Sequence, residues 1–479
     1  MTVTYPDENE KLTTELFSVQ TDSVNNAGGV TVEASTSGRD APRYDDTNRF
    51  HFSSERFAKL THYAFRYPAK FHVPVVRALL DRYTLRGWTC LDAFNGSGTL
   101  TVEAMASGRN AIGLDVDPLA VFVSRVKTTR VCPNRLEKYT GLICNAVELR
   151  LSRDKRLKRT LQKDIGKAAF KKRLLEEDLQ IPPIPNLEHW FRKSVVIQLA
   201  RIKALIVEMD VDCEIRDFFL LCWASIIRSC SNADPTPVSG LEVTSYMRRK
   251  EEEGREIDVE RHFIRAVRRG LTGAKDFYNA TSPMTTATCA MQDARALAGT
   301  RYAADAVITS PPYHSAVDYY RRHQLETYWL DLVRSQEERL SLIPTYLGRA
   351  GVAQKYLPTP IEAMGSVGSS WIERIDAINE RRARDFLHYY WGMRQFFCGV
   401  ATLLPSDAPL VLVVGNNRIL GREYSSSDLF DELAQPFFSF DEQHWYPVRN
   451  RYMSYSRHNG ANIDREDVLV WRRRGGSTL

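Results

Sequence analysis

Thr89-Cys90-Leu91-Asp92-Ala93-Phe94-Asn95-Gly96-Ser97-Gly98-Thr99 is the stretch on which the fold turns. A short apolar strand runs into Asp92, and a Gly-x-Gly turn then opens a helix beginning near Thr99. Glycines at 96 and 98 let the main chain reverse sharply and leave it bare, so that a ligand can approach the backbone itself. The next apolar run, Asn110-Ala111-Ile112-Gly113-Leu114, ends in Asp115. An acid that closes the second strand of a βαβ unit, about 20 residues past the turn, is placed to accept hydrogen bonds from ribose hydroxyls. The third glycine of a dinucleotide site is missing, and no Gly-Lys-Ser/Thr follows as in a phosphate-binding loop. The pattern therefore points to a nucleoside cofactor on an α/β, Rossmann-like sheet with helices on both faces.

Working outward from that unit, apolar residues at Phe71, Val73, Val75, Val76, Leu79 and Leu80 predict an amphipathic helix entered after Pro68. Gly108 ends the helix that starts at Thr99, and a helix over Pro118–Lys127 completes the unit. Residues 1–49 are rich in Thr, Ser, Asn, Asp and Gly and poor in large apolar residues, which predicts a disordered polar tail. From about 130 to 285 the pattern turns helical and charged, with basic residues at Arg150, Arg153, Lys155, Arg156, Lys158 and Arg159, then Lys167, Lys171, Lys172 and Arg173. That run is either a solvated face balanced by Glu176, Glu177 and Asp178 or a phosphate-contacting surface. The stretch Asp217–Ile227 is apolar nearly all round and reads as the core helix of this insertion. The loop Ser229-Cys230-Ser231-Asn232-Ala233-Asp234-Pro235 either caps that helix or reaches toward a ligand through Ser231 and Asn232.

Strands resume at Thr286–Ala290 and Asp305–Thr309. The second runs directly into Ser310-Pro311-Pro312-Tyr313. Two consecutive prolines fix φ and offer no N–H, so the chain leaves its strand as a stiff loop. The Ser310 and Pro311 carbonyls are left without ladder partners beside an aromatic ring. An array of acceptors next to a flat stacking surface suits a planar group carrying an exocyclic NH2; a structural turn with a core tyrosine is the plain alternative. Ser310 lacks the Gly-x-Ser-x-Gly elbow of a hydrolytic nucleophile. Beyond the loop, Val317–Leu332 reads as helical and carries Arg321 and Arg322, candidates for phosphate contact. A long helix is expected over Trp371–Phe397, a strand over Leu410–Val414, and an edge strand over Asp467–Trp471.

Together these motifs resemble the S-adenosylmethionine-dependent DNA amino-methyltransferases. Phe94-x-Gly96-x-Gly98 is similar to their cofactor motif, and Ser310-Pro311-Pro312-Tyr313 resembles their catalytic motif in its cytosine-N4 form. Tyr67-Pro68-Ala69-Lys70-Phe71 is similar to the stretch that closes over the methionine end of the cofactor. The resemblance spans roughly 50–129 and 288–474. It implies a class I methyltransferase core in two parts, 50–129 and 286–479, with the helical region 130–285 inserted between them as a possible DNA-recognition region. It implies a cofactor site of Lys70, Phe71, Asp92, Phe94, Gly96, Gly98, Thr99, Asp115 and Asp293, and a catalytic loop of Ser310, Pro311, Pro312 and Tyr313. Asp293 either accepts from the adenine amine or simply caps the helix at Ala294–Leu297. The implied partner is double-stranded DNA, with a cognate restriction nuclease or defence system as a further one. Adenine N6 and guanine N2 of RNA are the alternative targets, and an amide-methylating enzyme would instead carry Asn at 310.

Composition fits this reading. The net charge of +6 permits a polyanionic partner. The eight cysteines form no CxxC pair or zinc-spaced cluster, so no metal is expected and a reducing cytoplasm suits them. No basic-then-apolar leader and no apolar run of about 20 residues is present, so neither secretion nor a membrane span is expected.

Overall fold

In the computed structural model, residues 48–52, 60–68, 70–152, 164–235, 240–314, 318–349, 351, 364–448 and 465–475 are described. The expected tail lies outside them except at its end, where Arg49 bridges to Trp445 and the Phe50 N–H donates to the Trp445 carbonyl at 2.7 Å. The basic residues 153–160 also lie outside.

The core begins with helix α1 (Val73–Tyr83), strand β1 (Thr89–Asp92), α2 (Thr99–Ala106), β2 (Asn110–Asp115) and α3 (Pro118–Thr128). The first helix starts at Val73, with Pro74 in its opening turn, rather than just after Pro68. Its apolar stripe, Val75, Val76, Leu79 and Leu80, is fully buried against β1 and its neighbours. Truncating Leu79 to Ala there would cost about 2–5 kcal/mol.

A run of helices follows, among them α4 (Pro133–Ser152), α5 (Lys193–Glu208), α6 (Cys213–Cys230) and α7 (Val259–Ala280). As expected from its all-round apolar pattern, α6 buries Phe218, Phe219, Leu221, Cys222, Trp223, Ile226 and Ile227. Helix α7 crosses it closely at Gly270, where an added Cβ would stand 2.8 Å from Cys222 Sγ. Part of the basic run is met by acids: Arg150 and Arg201 both approach Glu177, and Lys172 approaches Glu176. The short helices Tyr319–Arg322 and Gln324–Trp329 belong to this core as well, since the Trp329 ring packs on Trp223 at 5.6 Å and on Phe191 at 6.0 Å. The segment after the double-proline loop is thereby fastened to the insertion.

The remaining strands are β3 (Ala287–Met291), β4 (Ala306–Thr309), β5 (Pro409–Gly415), the hairpin pair β6 (Asn417–Ile419) and β7 (Arg422–Tyr424), β8 (Phe438–Pro447) and β9 (Arg465–Arg473). Between β4 and β5 runs α8 (Glu380–Leu403). The long helix expected over Trp371–Phe397 is in fact two, because the Asn379 side chain accepts the Arg382 N–H and caps α8, separating it from Ser366–Asp376.

The main sheet has the order β3-β2-β1-β4-β5-β9-β8. Strands β1 to β5 are parallel, and β9 is antiparallel to both its neighbours. The expectation of an edge strand over Asp467–Trp471 is corrected: β9 is enclosed between β5 and β8, and its run Val468-Leu469-Val470-Trp471 is buried on both faces. A strand with two buried faces reads as a continuous apolar run, without alternation. The edge is β8, whose residues alternate poorly. Among the described residues no helix is long and apolar enough to cross a membrane.

This is a doubly wound, mostly parallel sheet, with a large helical insertion between α3 and β3. From β1 the chain winds outward through β2 to β3, then returns to place β4 on the other side of β1. Ligands in such sheets bind beyond the carboxyl ends of the strands where that direction reverses, here between β1 and β4.

Candidate active site

Both motifs reach that crevice. β1 ends at Asp92 and β4 at Thr309, and the two strands pair directly. The Thr309 hydroxyl donates to Asp92 Oδ1 at 2.5 Å, and the Phe94 N–H lies 3.1 Å from the same oxygen. The glycine turn leaves one side of this contact and the double-proline loop the other. Burial pushes the Asp92 carboxyl up to about 7.

The turn requires its glycines. Gly98 sits at φ +75° as the N-cap of α2, and a Cβ there would stand 2.7 Å from both Ser124 Cβ and Thr101 Oγ1. Gly96 is also left-handed at φ +48°, and a Cβ there would stand 3.4 Å from the Tyr67 ring. Asp115 closes the turn from the side: one carboxylate oxygen accepts the Gly96 N–H at 2.8 Å and the other the Asp117 N–H at 2.9 Å. Burial, and then the neighbouring Asp117 charge, push this carboxyl up to about 7. The Val116 N–H is a third donor to this carboxylate, which leaves one lone pair for an outside donor. Phe94 is half-buried with its ring on Phe396, and Thr99 is buried at the first position of α2.

Bare left-handed backbone, a flanking carboxylate and an adjacent aromatic ring fit a nucleoside such as that of S-adenosylmethionine. Lys70 approaches from the Tyr67–Phe71 segment, its Nζ donating to the His62 carbonyl at 2.7 Å; burial, with Arg66 nearby, pulls it down to about 8. Phe71 packs half-buried against α1 and its neighbours. Asp293 stands at the end of β3 on the same edge of the sheet. Its contacts match the capping alternative: Oδ1 accepts the Arg295 N–H at 2.9 Å, and the Arg295 guanidinium closes on both oxygens. It is thus an engaged acid rather than an open acceptor.

In the double-proline loop, the Ser310 hydroxyl donates to the Val413 carbonyl at 2.9 Å. Its proton is committed, and its oxygen also stands against the Tyr313 hydroxyl. The Tyr313 hydroxyl donates to Glu466 Oε1 at 2.8 Å, and burial raises its pKa well above the ordinary phenol value. Pro311 is buried and Pro312 half-buried. Gly348, at φ +77°, packs its backbone against this loop; a Cβ there would stand 3.2 Å from the Tyr313 carbonyl.

The DNA-contacting expectations fare differently. Ser231 is fully buried, its hydroxyl donating to the Arg228 carbonyl and accepting the Ala233 N–H. Asn232 donates to the His189 carbonyl at 3.0 Å. Ser231 stabilises the end of α6, as short polar side chains do after a helix, and Asn232 ties the chain beyond it to the short helix at His189. Arg322 is buried beside Arg228, and burial pulls its guanidinium down to about 10, so it does not face solvent phosphate. Arg321 alone of these four is exposed and near an acid, Glu242, at 3.9 Å.

Other contributors were not singled out in the sequence or, like Tyr67, were named there only within a segment. Thr309 is the last residue of an apolar strand, a place where a polar β-branched residue is a usable signal. Tyr67 stacks on the Tyr319 ring and lies 4.5 Å from His323, which pairs with Asp117 at 3.0 Å; these contacts join the cofactor turn to the segment beyond the catalytic loop. Lys127 is fully buried under the turn and donates to the Ser97 carbonyl at 2.5 Å. Glu466 had no sequence signal.

A family model described as DNA methylase matches residues 8–122, ending before the double-proline loop. The chain is 24% identical over 369 residues to the Type II methyltransferase M.MvaI of Kocuria varians, covering 74% of this chain and 75% of that protein. It is 33% identical over 86 residues to the Type II methyltransferase M.MjaII of Methanocaldococcus jannaschii, covering 18% and 16%. Among solved structures it aligns with TrmN from Thermus thermophilus (10% identity, TM-score 0.28, 84% of this chain and 49% of that one). It also aligns with the rRNA methyltransferase aviRa from Streptomyces viridochromogenes (12%, TM-score 0.28, 85% and 86%). Both structures are too distant to bear on function. With its sheet order and glycine-turn site, and its similarity to the DNA methylases, the chain is a methyltransferase whose cofactor is S-adenosylmethionine.

Proposed function

We propose that this chain is a site-specific DNA methyltransferase acting on the exocyclic amine of a flipped-out base, cytosine N4 in preference to adenine N6. The observation that carries the reading is the Thr309–Asp92 contact, which holds the glycine turn and the Ser310–Tyr313 loop on one crevice. The relatives that match are named as Type II methyltransferases. The Ser-Pro-Pro-Tyr form favours cytosine.

An aromatic amine is a weak nucleophile because its lone pair is delocalised into the ring. S-adenosylmethionine supplies an electrophilic methyl group, so the protein's task is mainly alignment. Gly96, Gly98 and Asp115 hold the nucleoside part of the cofactor. The Pro311 carbonyl and the Ser310 oxygen accept the two amine N–H bonds, which shifts nitrogen toward tetrahedral geometry and points its lone pair outward. The Tyr313 ring supports the base. Within a duplex the amine is paired, so the nucleotide leaves the stack at a cost of a few kcal/mol. The insertion and the helices at 319–329, which share one core next to this loop, form the surface that meets DNA in this reading. In this reading the protein works in the cytoplasm beside a cognate nuclease.

The test is product analysis. Host genomic DNA from cells with and without the gene is digested to nucleosides and examined by mass spectrometry. Gene-dependent N4-methylcytosine supports the proposal, and N6-methyladenine would reassign the base. Methylated RNA beside unmodified DNA would refute it.

A further inference from the structure

Strand β9 enters the sheet at the carboxyl edge of its parallel neighbours, so its first residues face the crevice. There Glu466 pairs in register with Gly415 at the end of β5 and with Tyr446 on β8. Its two carboxylate oxygens are divided between two phenols: Oε1 accepts from Tyr313, at 2.8 Å, and Oε2 from Tyr446. Tyr446 is buried, and the Phe52 ring stands edge-on against it at 5.4 Å. A carboxylate shared by two phenols has its position set from both sides. On the other side of the loop, the Ser310 hydroxyl is tied to Val413 of β5.

The loop is therefore held to the sheet at its first residue by Ser310 and at its fourth by Tyr313. Prolines at 311 and 312 fix the backbone between these ties but not the direction of the Tyr313 side chain. A phenol donating to a carboxylate forms one of the stronger, charge-assisted hydrogen bonds. It fixes where the hydroxyl end of the ring sits while leaving the ring's faces without a polar obligation. We infer that Glu466, itself fixed by Tyr446, is a positioning residue that holds the Tyr313 ring at the place where the target base comes to rest. This deepens the reading given above and depends on it. It assigns to strand β9, the antiparallel member of the sheet, a part in the reaction through Tyr313.

The test measures single-turnover methyl transfer to DNA with cofactor saturating, alongside cofactor affinity by calorimetry. Tyr313→Phe keeps the stacking ring but releases it from Glu466, and Glu466→Ala releases it from the other end. Each is expected to slow transfer about tenfold to a hundredfold, the cost of a misplaced reacting group, with cofactor affinity unchanged. The double variant should be no slower than the slower single variant, because both remove one interaction. Glu466→Gln, whose amide oxygen still accepts from Tyr313 and whose NH2 can donate to Tyr446, should recover most of the rate. If Glu466→Ala does not fold, Tyr313→Phe and Glu466→Gln still decide the matter. An active wild type with Tyr313→Phe at full rate, or with losses that multiply in the double variant, overturns the inference alone. A wild type that transfers nothing to DNA overturns it together with the reading it rests on.

Discussion

Thr309 and Asp92 lie on adjacent parallel strands, and the hydroxyl of the first donates to the carboxyl of the second at 2.5 Å. The contact joins two motifs more than two hundred residues apart in sequence into one crevice. Asp92 is buried, and the Phe94 N–H is its other near donor. Thr309→Val keeps the shape and removes the donor, leaving the carboxyl under-satisfied. A loss of about 1–3 kcal/mol is expected, together with a fall in methyl transfer as the turn and loop drift apart. Urea unfolding and a transfer assay measure both effects; an unchanged variant would mean that the contact is incidental.

Asp115 gives a pH signature. Burial raises its carboxyl from the ordinary 3.8 to about 7. Between those values the folded state holds more protons than the unfolded state, so this group's contribution to stability falls as pH rises across that window. The stability of Asp115→Asn relative to wild type should therefore climb from about pH 4 to about 7 and level off above. Cofactor binding should run the other way. Ribose hydroxyls donate to the ionised carboxylate, so wild-type affinity should rise through about pH 7. The variant should bind about tenfold to a hundredfold more weakly, the value of one or two such hydrogen bonds, with no pH dependence in that range. Calorimetry across pH 5.5–8.5 decides; equal binding by both proteins would remove Asp115 from the ribose role.

Lys127 supports the turn from below. Burial pulls its ammonium well below the ordinary lysine value, so the folded state holds fewer protons than the unfolded state at pH below about 10. Stability from this residue therefore rises with pH toward that value. Lys127→Met fills the space, removes the donor to Ser97 and should abolish this rise in urea midpoints as pH climbs toward about 10. Cofactor affinity should fall several-fold to about tenfold, the worth of one hydrogen bond to the turn. Unchanged affinity would make Lys127 a packing residue only.

Gly98 tests the backbone geometry. Its φ of +75° is costly for any other L-residue, and a Cβ would meet Ser124 Cβ at 2.7 Å. Gly98→Ala should lose at least the roughly 1–2 kcal/mol of a left-handed residue, seen as a lower melting temperature, and should bind cofactor weakly. Full stability would contradict the turn as described.

The βαβ start was legible in the sequence because each step has a local cause: an apolar strand, a glycine pair, an acid, a capped helix. The double-proline corner was legible for the same reason. What was not legible depends on pairing between distant residues. Nothing local places Glu466 against Tyr313 or Lys127 under Ser97. The strand Val468–Trp471 looked like an edge although it is enclosed, because enclosure depends on β8, whose weak alternation hid it. Asn379 divided a long helical pattern because its side chain caps the second half, which apolar spacing does not reveal. Ser231, Asn232 and Arg322 have residue types suited to nucleic acid, yet the burial of Ser231 and Arg322 and the contact of Asn232 with His189 come from the packing of the insertion, which their types do not encode.

The most direct test of the shared crevice is a crystal structure with S-adenosylhomocysteine bound. The account predicts its ribose on Asp115, its nucleoside along the Gly96–Gly98 turn and its sulfur facing the Ser310 and Pro311 carbonyls. A sulfur directed away from those carbonyls, or a ligand seated on another edge of the sheet, would contradict it.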